Sequence, residues 1–201
     1  MKSDFIDKLR LYVITDSAKL AELVLEGGAM AIQYREKGKD TLDLVKMGRE
    51  IKELCDAHNA IFIVNDRIDV ALATDADGVH LGTRDMPLDI ARGLLGSKII
   101  GASASSVDEA MRAQEQADYI GFGSIFPTGS KGDAVVTGID PLKEIKRRVS
   151  KPIVAIGGIT QKNVGEVAGI ADGVAVISAV SSAKDPTIAT RELLEKLKGQ
   201  S

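Results

Sequence analysis

Cysteine is almost absent from this 201-residue chain: Cys55 is the only one. A single thiol excludes an intramolecular disulfide and a thiolate cluster for zinc. Cys55 falls inside an apolar helical pattern and is read as a packed residue, not a nucleophile. Tryptophan is missing, and aromatic residues make up only 3%, so nucleic-acid bases would find few rings to stack on. An excess of positive charge is missing too. Lys and Arg number 26 against 29 Asp and Glu, for a net charge of −3. Bulk polyanion binding calls for a basic stripe, whereas a small phosphate ligand needs only a few local cations. No apolar run approaches the roughly 18–20 residues that cross a bilayer. Met1 to Asp7 is charged and carries no apolar signal segment. The expectation is a cytoplasmic protein with no nucleic acid and no membrane among its partners.

What is present is an ordinary globular balance, 44% apolar and 27% charged. The length allows one domain with a full-size core, residues 1–201, though it is short for a complete α/β barrel. Eight short apolar runs recur along the chain. They are Leu11–Thr15, Ala29–Tyr34, Ile61–Val64, Gly78–Leu81, Ile99–Ser103, Tyr119–Gly123, Pro152–Ile156 and Gly173–Ile177. They are nearly continuous rather than alternating, as strands buried on both faces of a parallel sheet should be.

Helical patterns separate them, most clearly over Thr41–His58, with Leu42, Val45, Ile51 and Leu54 as its anchors. Others cover Ser17–Glu26, Val107–Gln116, Pro141–Val149 and Thr187–Lys198, with shorter ones at Arg67–Thr74 and Leu88–Leu94. Asp40 and Ser106 have the chemistry of N-caps, and Gly27-Gly28 that of a helix stop. Strand–helix alternation with right-handed crossovers gives a closed barrel or an open doubly wound sheet. The strand count, the polar residues gathered just after the strands, and the lack of a Gly-x-Gly-x-x-Gly after the first strand favour a single (β/α)8 TIM barrel.

Barrels of this kind build their active sites at the C-terminal ends of the strands. Behind the second strand stand Arg35 and Lys37, two apart and able to face one side, a fork and a point charge suited to a pyrophosphate. Behind the third and fourth come Asp66 and Asp85. Two carboxylates plus substrate phosphates are a common way to hold Mg²⁺, while Asp66 could equally cap the next helix. His80 lies within a strand pattern and is read as a satisfied interior residue rather than a general base; His58 closes a helix, where its charge is favourable. Ser103 follows the fifth strand. The sixth is followed by a small-residue loop, Ser124 to Gly132, whose Lys131 is flanked by hydroxyl residues and which could close as a lid. Gly157-Gly158 after the seventh strand and Ser178-Ala179-Val180 after the eighth have the make-up of a backbone phosphate site. Spacing alone therefore supports a magnesium-dependent enzyme with two phosphorylated substrates, and does not name them.

The same residues resemble a known family, the thiamine-phosphate synthases, over nearly the whole length. The matching pieces run in order: Leu11-Tyr12-Val13-Ile14-Thr15-Asp16, Gln33-Tyr34-Arg35-Glu36-Lys37, Asn65-Asp66-Arg67, Gly78-Val79-His80-Leu81-Gly82 and Asp85. Then come Gly101-Ala102-Ser103, Asp118-Tyr119-Ile120-Gly121, Phe126-Pro127-Thr128, Lys131, Ala155-Ile156-Gly157-Gly158-Ile159 and Gly173-Val174-Ala175-Val176-Ile177-Ser178. The resemblance implies a transferase that condenses 4-amino-2-methyl-5-pyrimidinylmethyl pyrophosphate with 4-methyl-5-(2-phosphoethyl)thiazole, plain or carboxylated. The products are thiamine phosphate and pyrophosphate.

It implies that Gln33, Arg35, Lys37 and Asn65 contact the pyrimidine and its pyrophosphate, that Asp66 and Asp85 hold Mg²⁺, and that Ser103 and Lys131 contact the pyrophosphate. Thr128 and Ser130 would face the thiazole phosphate, with Gly158, Ile177 and Ser178 completing that pocket. Arg35, Lys37 and Lys131 would be the catalytic cations. The family often has threonine where Ser130 stands, and the stretch Asp133–Thr137 does not align cleanly. Two alternatives are a thiazole tautomerase of the same fold, expected to carry histidine at the Ser124 position, and a non-catalytic thiamine-phosphate-binding regulator. Small phosphorylated molecules are the expected partners, and the sequence allows a homodimer.

Overall fold

The computed structural model describes residues 2–129 and 135–199. Eight strands form a closed parallel barrel in chain order: β1 (Leu11–Thr15), β2 (Ala31–Tyr34), β3 (Ile61–Asn65), β4 (Gly78–Leu81), β5 (Ile99–Ala104), β6 (Tyr119–Phe122), β7 (Ile153–Ile156) and β8 (Gly173–Val176). Closure is made by β1 on β8, with Tyr12 opposite Ala175. The (β/α)8 expectation is thus met. The helices are α1 (Lys2–Leu9), α2 (Ala18–Glu26), α3 (Thr41–Ala57), α4 (Ile68–Ala73), α5 (Leu88–Leu95), α6 (Val107–Ala113), α7 (Ile139–Arg148), α8 (Val164–Ala168), α9 (Ser178–Ser181) and α10 (Pro186–Lys198).

The strands are mostly apolar because each has two buried faces. Outward residues such as Val13, Ile32, Phe62, Val79 and Ile120 pack beneath the helices in one large core. Inward residues Tyr12, Ile14, Ala31, Ile61, Ile63, Tyr119, Val154 and Ala175 form a second core inside the barrel, together with Leu9 and Phe5 of α1. Helix α1 was not expected from the charged N-terminus. It lies against β1 and β8, and Leu9 is fully buried.

Caps behave as their chemistry demands. Asp40 accepts from the Asp43 N–H at 3.0 Å and Ser106 from the Glu109 N–H at 3.2 Å. Gly27 caps α2, and Gly28 follows at φ +99°. The buried face of α3 corrects one expectation. It runs Leu44, Gly48, Ile51 and Cys55, whereas Leu42 is 64% exposed. Ile51 is buried as expected and Val45 and Leu54 pack against the core, so Leu42 alone departs from the expectation. Among the described residues, no helix is long and apolar enough to cross a membrane.

Candidate active site

The C-terminal ends of the strands open into two adjoining cavities. The larger, about 480 Å³, is lined by Gln33, Arg35 and Lys37 from β2 and the loop after it, Asn65 and Asp66 from the end of β3, Asp85 beyond β4, and Ser103 of β5. The smaller, about 80 Å³, is lined by Thr128, Gly157, Gly158, Ile177 and Ser178. Gly123, Ile156, Ala175 and Ile177 face both. Residues far apart in sequence that were singled out as site residues therefore converge. Ser130 and Lys131 are the exceptions, since they lie outside the described residues.

Asp66 sits at φ +61°, an uncommon backbone for a non-glycine residue. It does not cap α4, whose N-cap is Arg67 without a side-chain cap bond. Its side chain is turned towards Lys37, with Nζ 3.5 Å from Oδ2, and neighbours the Asp85 carboxylate. Burial, followed by the Asp85 carboxylate, pushes the Asp66 carboxyl above the usual range, and Lys37 only partly offsets this. Asp85 is itself held by the Gly82 N–H, 2.7 Å from its Oδ2. Two neighbouring carboxylates repel, and a proton or a cation between them relieves the repulsion. That donor set, oxygen only and half open to solvent, suits a hard divalent ion that completes its shell with water and phosphate oxygens. No larger cluster of His, Cys, Asp or Glu suited to a metal occurs among the described residues.

The smaller cavity is shaped by backbone. Gly157 and Gly158 both adopt positive φ, +101° and +63°. A Cβ on Gly158 would come within 2.4 Å of the Pro127 carbonyl oxygen, and one on Gly157 within 2.1 Å of Ser124 Oγ. So these glycines let the turn after β7 press against the loop after β6. Ser124 closes the contact, with its Oγ donating to the Phe126 carbonyl at 2.8 Å. The short α9 begins at Ser178, directly after β8. Asn163 steadies the turn by donating from Nδ2 to the Gly158 carbonyl at 2.9 Å.

Sequence reasoning missed other lining residues of the larger cavity: Thr83 and Arg84 on the loop after β4, Ser105 after β5, and the inward-facing Tyr12 and Tyr119. The tyrosines were findable. A tyrosine at an inward strand position carries a polar tip into the barrel, and the parity that puts Gln33 and Ser103 inside also puts Tyr12 and Tyr119 there. His80 is only 9% exposed, and its ring is hydrogen-bonded at both nitrogens.

A family model described as thiamine monophosphate synthase matches residues 11–180. The thiamine-phosphate synthase of Pyrococcus abyssi is 50% identical over 197 residues, covering 94% of this chain and 95% of the relative. That of Pyrococcus horikoshii is 47% identical, covering 98% of this chain and 100% of the relative. Among solved structures, a thiamine phosphate pyrophosphorylase from Pyrococcus furiosus superposes with a TM-score of 0.93 at 45% identity, covering 98% of each chain.

Proposed function

The chain belongs to the thiamine monophosphate synthase family, and on that premise we propose that its barrel mouth joins a pyrimidinylmethyl pyrophosphate to a thiazole phosphate, releasing pyrophosphate. The observation that carries this reading is the pair of abutting cavities. One is rimmed by Arg35, Lys37 and two carboxylates, and the other is walled by closely packed glycine backbone. Two phosphorylated substrates need two such compartments with their reacting ends meeting at a common wall, here Ile156, Ala175 and Ile177.

The bond that breaks joins the pyrimidine methylene carbon to the pyrophosphate oxygen, and the electron pair leaves with the oxygen. The pyrimidine ring delocalises the resulting cation. The thiazole nitrogen then gives its lone pair to that carbon, and no proton moves. The residues' work is therefore electrostatic and positional. Arg35 grips the leaving group through a planar fork, Lys37 adds a point charge, and Lys131 joins them on the strength of the sequence resemblance. Gln33 and Asn65 orient the pyrimidine end, Ser103 donates to the departing group, and Thr128, Gly158 and Ser178 seat the thiazole phosphate, with Ser130 added on the strength of the sequence resemblance. Holding nitrogen and carbon within about 3–3.5 Å supplies much of the rate. The apolar wall of Ile156 and Ile177 keeps water from the cation.

Asp66 and Asp85 are the residues that would hold Mg²⁺, which when bound would neutralise charge on the pyrophosphate. A thiazole tautomerase gains nothing from this set of cations and carboxylates, and Ser124 stands where its histidine is expected. A cytoplasmic setting accords with a lone thiol, Cys55, that is buried and free.

The direct test is incubation with both substrates, with and without Mg²⁺, followed by quantification of thiamine phosphate and pyrophosphate. Equimolar release of both, dependent on the metal, is expected. Conversion of a thiazole phosphate in the absence of the pyrimidine substrate would instead select the tautomerase.

A further inference from the structure

Five polar side chains run in single file across the barrel beneath the larger cavity. Gln33 Nε2 donates to the Tyr12 hydroxyl at 2.9 Å. The Tyr12 and Tyr119 hydroxyls are 2.9 Å apart. The Tyr119 hydroxyl is 3.0 Å from His80 Nδ1, and His80 Nε2 is 2.9 Å from Ser103 Oγ. The middle members are deeply enclosed, with Tyr12 1% and Tyr119 0% exposed. Room for them comes from two glycines. A Cβ on Gly101 would meet the Tyr119 ring at 2.1 Å, and one on Gly121 the His80 ring at 2.8 Å.

We propose that Tyr12, Tyr119 and His80 are positioning residues that fix the direction of this file of protons, so that Ser103 faces the cavity as a donor and Gln33 as an acceptor. Each hydroxyl carries one proton, as does a neutral imidazole, so the file has two consistent orders. In the first, the Gln33 amide donates to Tyr12, Tyr12 to Tyr119, and Tyr119 to His80 Nδ1. His80 Nε2–H then donates to Ser103, whose own proton stays available to the cavity. In the second, every bond is reversed. Ser103 spends its proton on His80, and Gln33 turns its carbonyl inward. An imidazolium fits neither order. With the Gln33 nitrogen facing Tyr12, it would donate to Tyr119 from one side while Tyr12 donates from the other, stranding the Tyr119 proton in a buried place.

With the Gln33 nitrogen facing Tyr12 the first order follows; the amide turned over would give the second, so the His80 tautomer decides between them. The consequence of the first order is chemical. Ser103 offers a hydrogen to an anionic oxygen, and Gln33 has its Oε1 to offer to an amino group. That the anion is a pyrophosphate and the amino group a pyrimidine's rests on the function proposed above; the proton order does not.

The test has two arms. The chain contains only two histidines. His58 Nδ1 is 2.9 Å from the Leu54 carbonyl oxygen, which can only accept, so neutral His58 carries its proton on Nδ1. Imidazole ¹⁵N NMR of the ligand-free protein above the histidine titration should therefore show two opposite tautomers, with His58→Gln assigning them. A neutral His80 protonated at Nε2 is expected. A proton on Nδ1, or on both nitrogens, overturns the proposal.

In the second arm Tyr119→Phe keeps the ring and removes the middle link. Affinity for inorganic pyrophosphate with Mg²⁺ should fall about tenfold, equivalent to ~1.4 kcal/mol, and KM for the pyrimidine substrate should rise in step. KM for the thiazole phosphate should stay within about twofold, which a general loosening of the barrel would not give. Pyrophosphate affinity unchanged in Tyr119→Phe overturns the positioning role. A wild-type chain that forms no thiamine phosphate but shows the Nε2–H tautomer overturns the proposed function and leaves the proton order standing.

Discussion

The Lys37 ammonium stands 3.5 Å from the Asp66 carboxylate, on a carboxylate that also meets Asp85. One cation thus faces two acids, and the folded state holds the Asp66 carboxyl above its ordinary range, through burial first and Asp85 second. A folded carboxyl raised above its unfolded value costs nothing below the unfolded value. Stability then falls as pH rises through the unfolded and on through the folded value. Asp66→Asn should match the native chain at acid pH and exceed it at neutral pH. The gain should stay under about 1 kcal/mol because the pair is half open to water, equivalent to ~2–4 °C in Tm at most. Added Mg²⁺ should raise the Tm of the native chain and leave the variant unmoved. Thermal denaturation at both pH values, with and without the metal, checks this, and identical Mg²⁺ responses would remove the carboxylate pair from the metal assignment.

Arg35 lines the larger cavity beside Lys37. Arg35→Ala should lower kcat by about 10²–10³, the scale of losing one preorganised donor to a developing negative charge. Arg35→Lys should recover only part, because the charge returns without the planar fork. Steady-state assay of all three forms decides it. A lysine variant with full activity would make the fork irrelevant.

Gly158→Ala should act on the smaller cavity. The new Cβ meets the Pro127 carbonyl oxygen at 2.4 Å in a backbone with φ +63°, so the loop carrying Thr128 must move and the left-handed turn is strained by ~1 kcal/mol or more. KM for the thiazole phosphate is expected to rise at least about tenfold, a ~1.4 kcal/mol effect, with KM for the pyrimidine pyrophosphate little changed. Equal shifts in both would show that the turn does not belong to one substrate.

Cys55 is fully buried, and burial pushes its thiol up to about 12. The native chain should therefore resist alkylation at neutral pH and react fully once denatured, as mass spectrometry can score. The thiol also sets a direction for alkaline stability. Its folded value lies above the unfolded one, so its contribution is complete below the ordinary thiol range and is lost as pH climbs towards 12. Cys55→Ala should flatten that limb of the stability curve.

Strand positions were legible in the sequence because a strand buried on both faces has one apolar signature whatever its neighbours. The lining of the two cavities was legible because barrel chemistry gathers just behind strands, and Arg35, Asp66, Asp85 and Gly158 stand there. Helix α1 was not, since Phe5 and Leu9 are isolated among charges and find their partners on Tyr119, β1 and β8 only once the barrel has closed. The buried face of α3 was displaced from Leu42 to Leu44 for a related reason. Local periodicity proposes a stripe, and the neighbouring strand chooses it. His80 was correctly read as an interior residue, but its partners were out of reach. Tyr119 lies 39 positions away and Ser103 lies 23, and only the register of β4 on β5 and β5 on β6 makes them neighbours.

The residues common to both chambers, Ile156, Ala175 and Ile177, border the room of either molecule, so bulk added there is space lost to both. Enlarging Ala175 would therefore crowd two guests at once, whereas a change at Gly158 or Tyr119, each bordering one chamber, reaches a single guest.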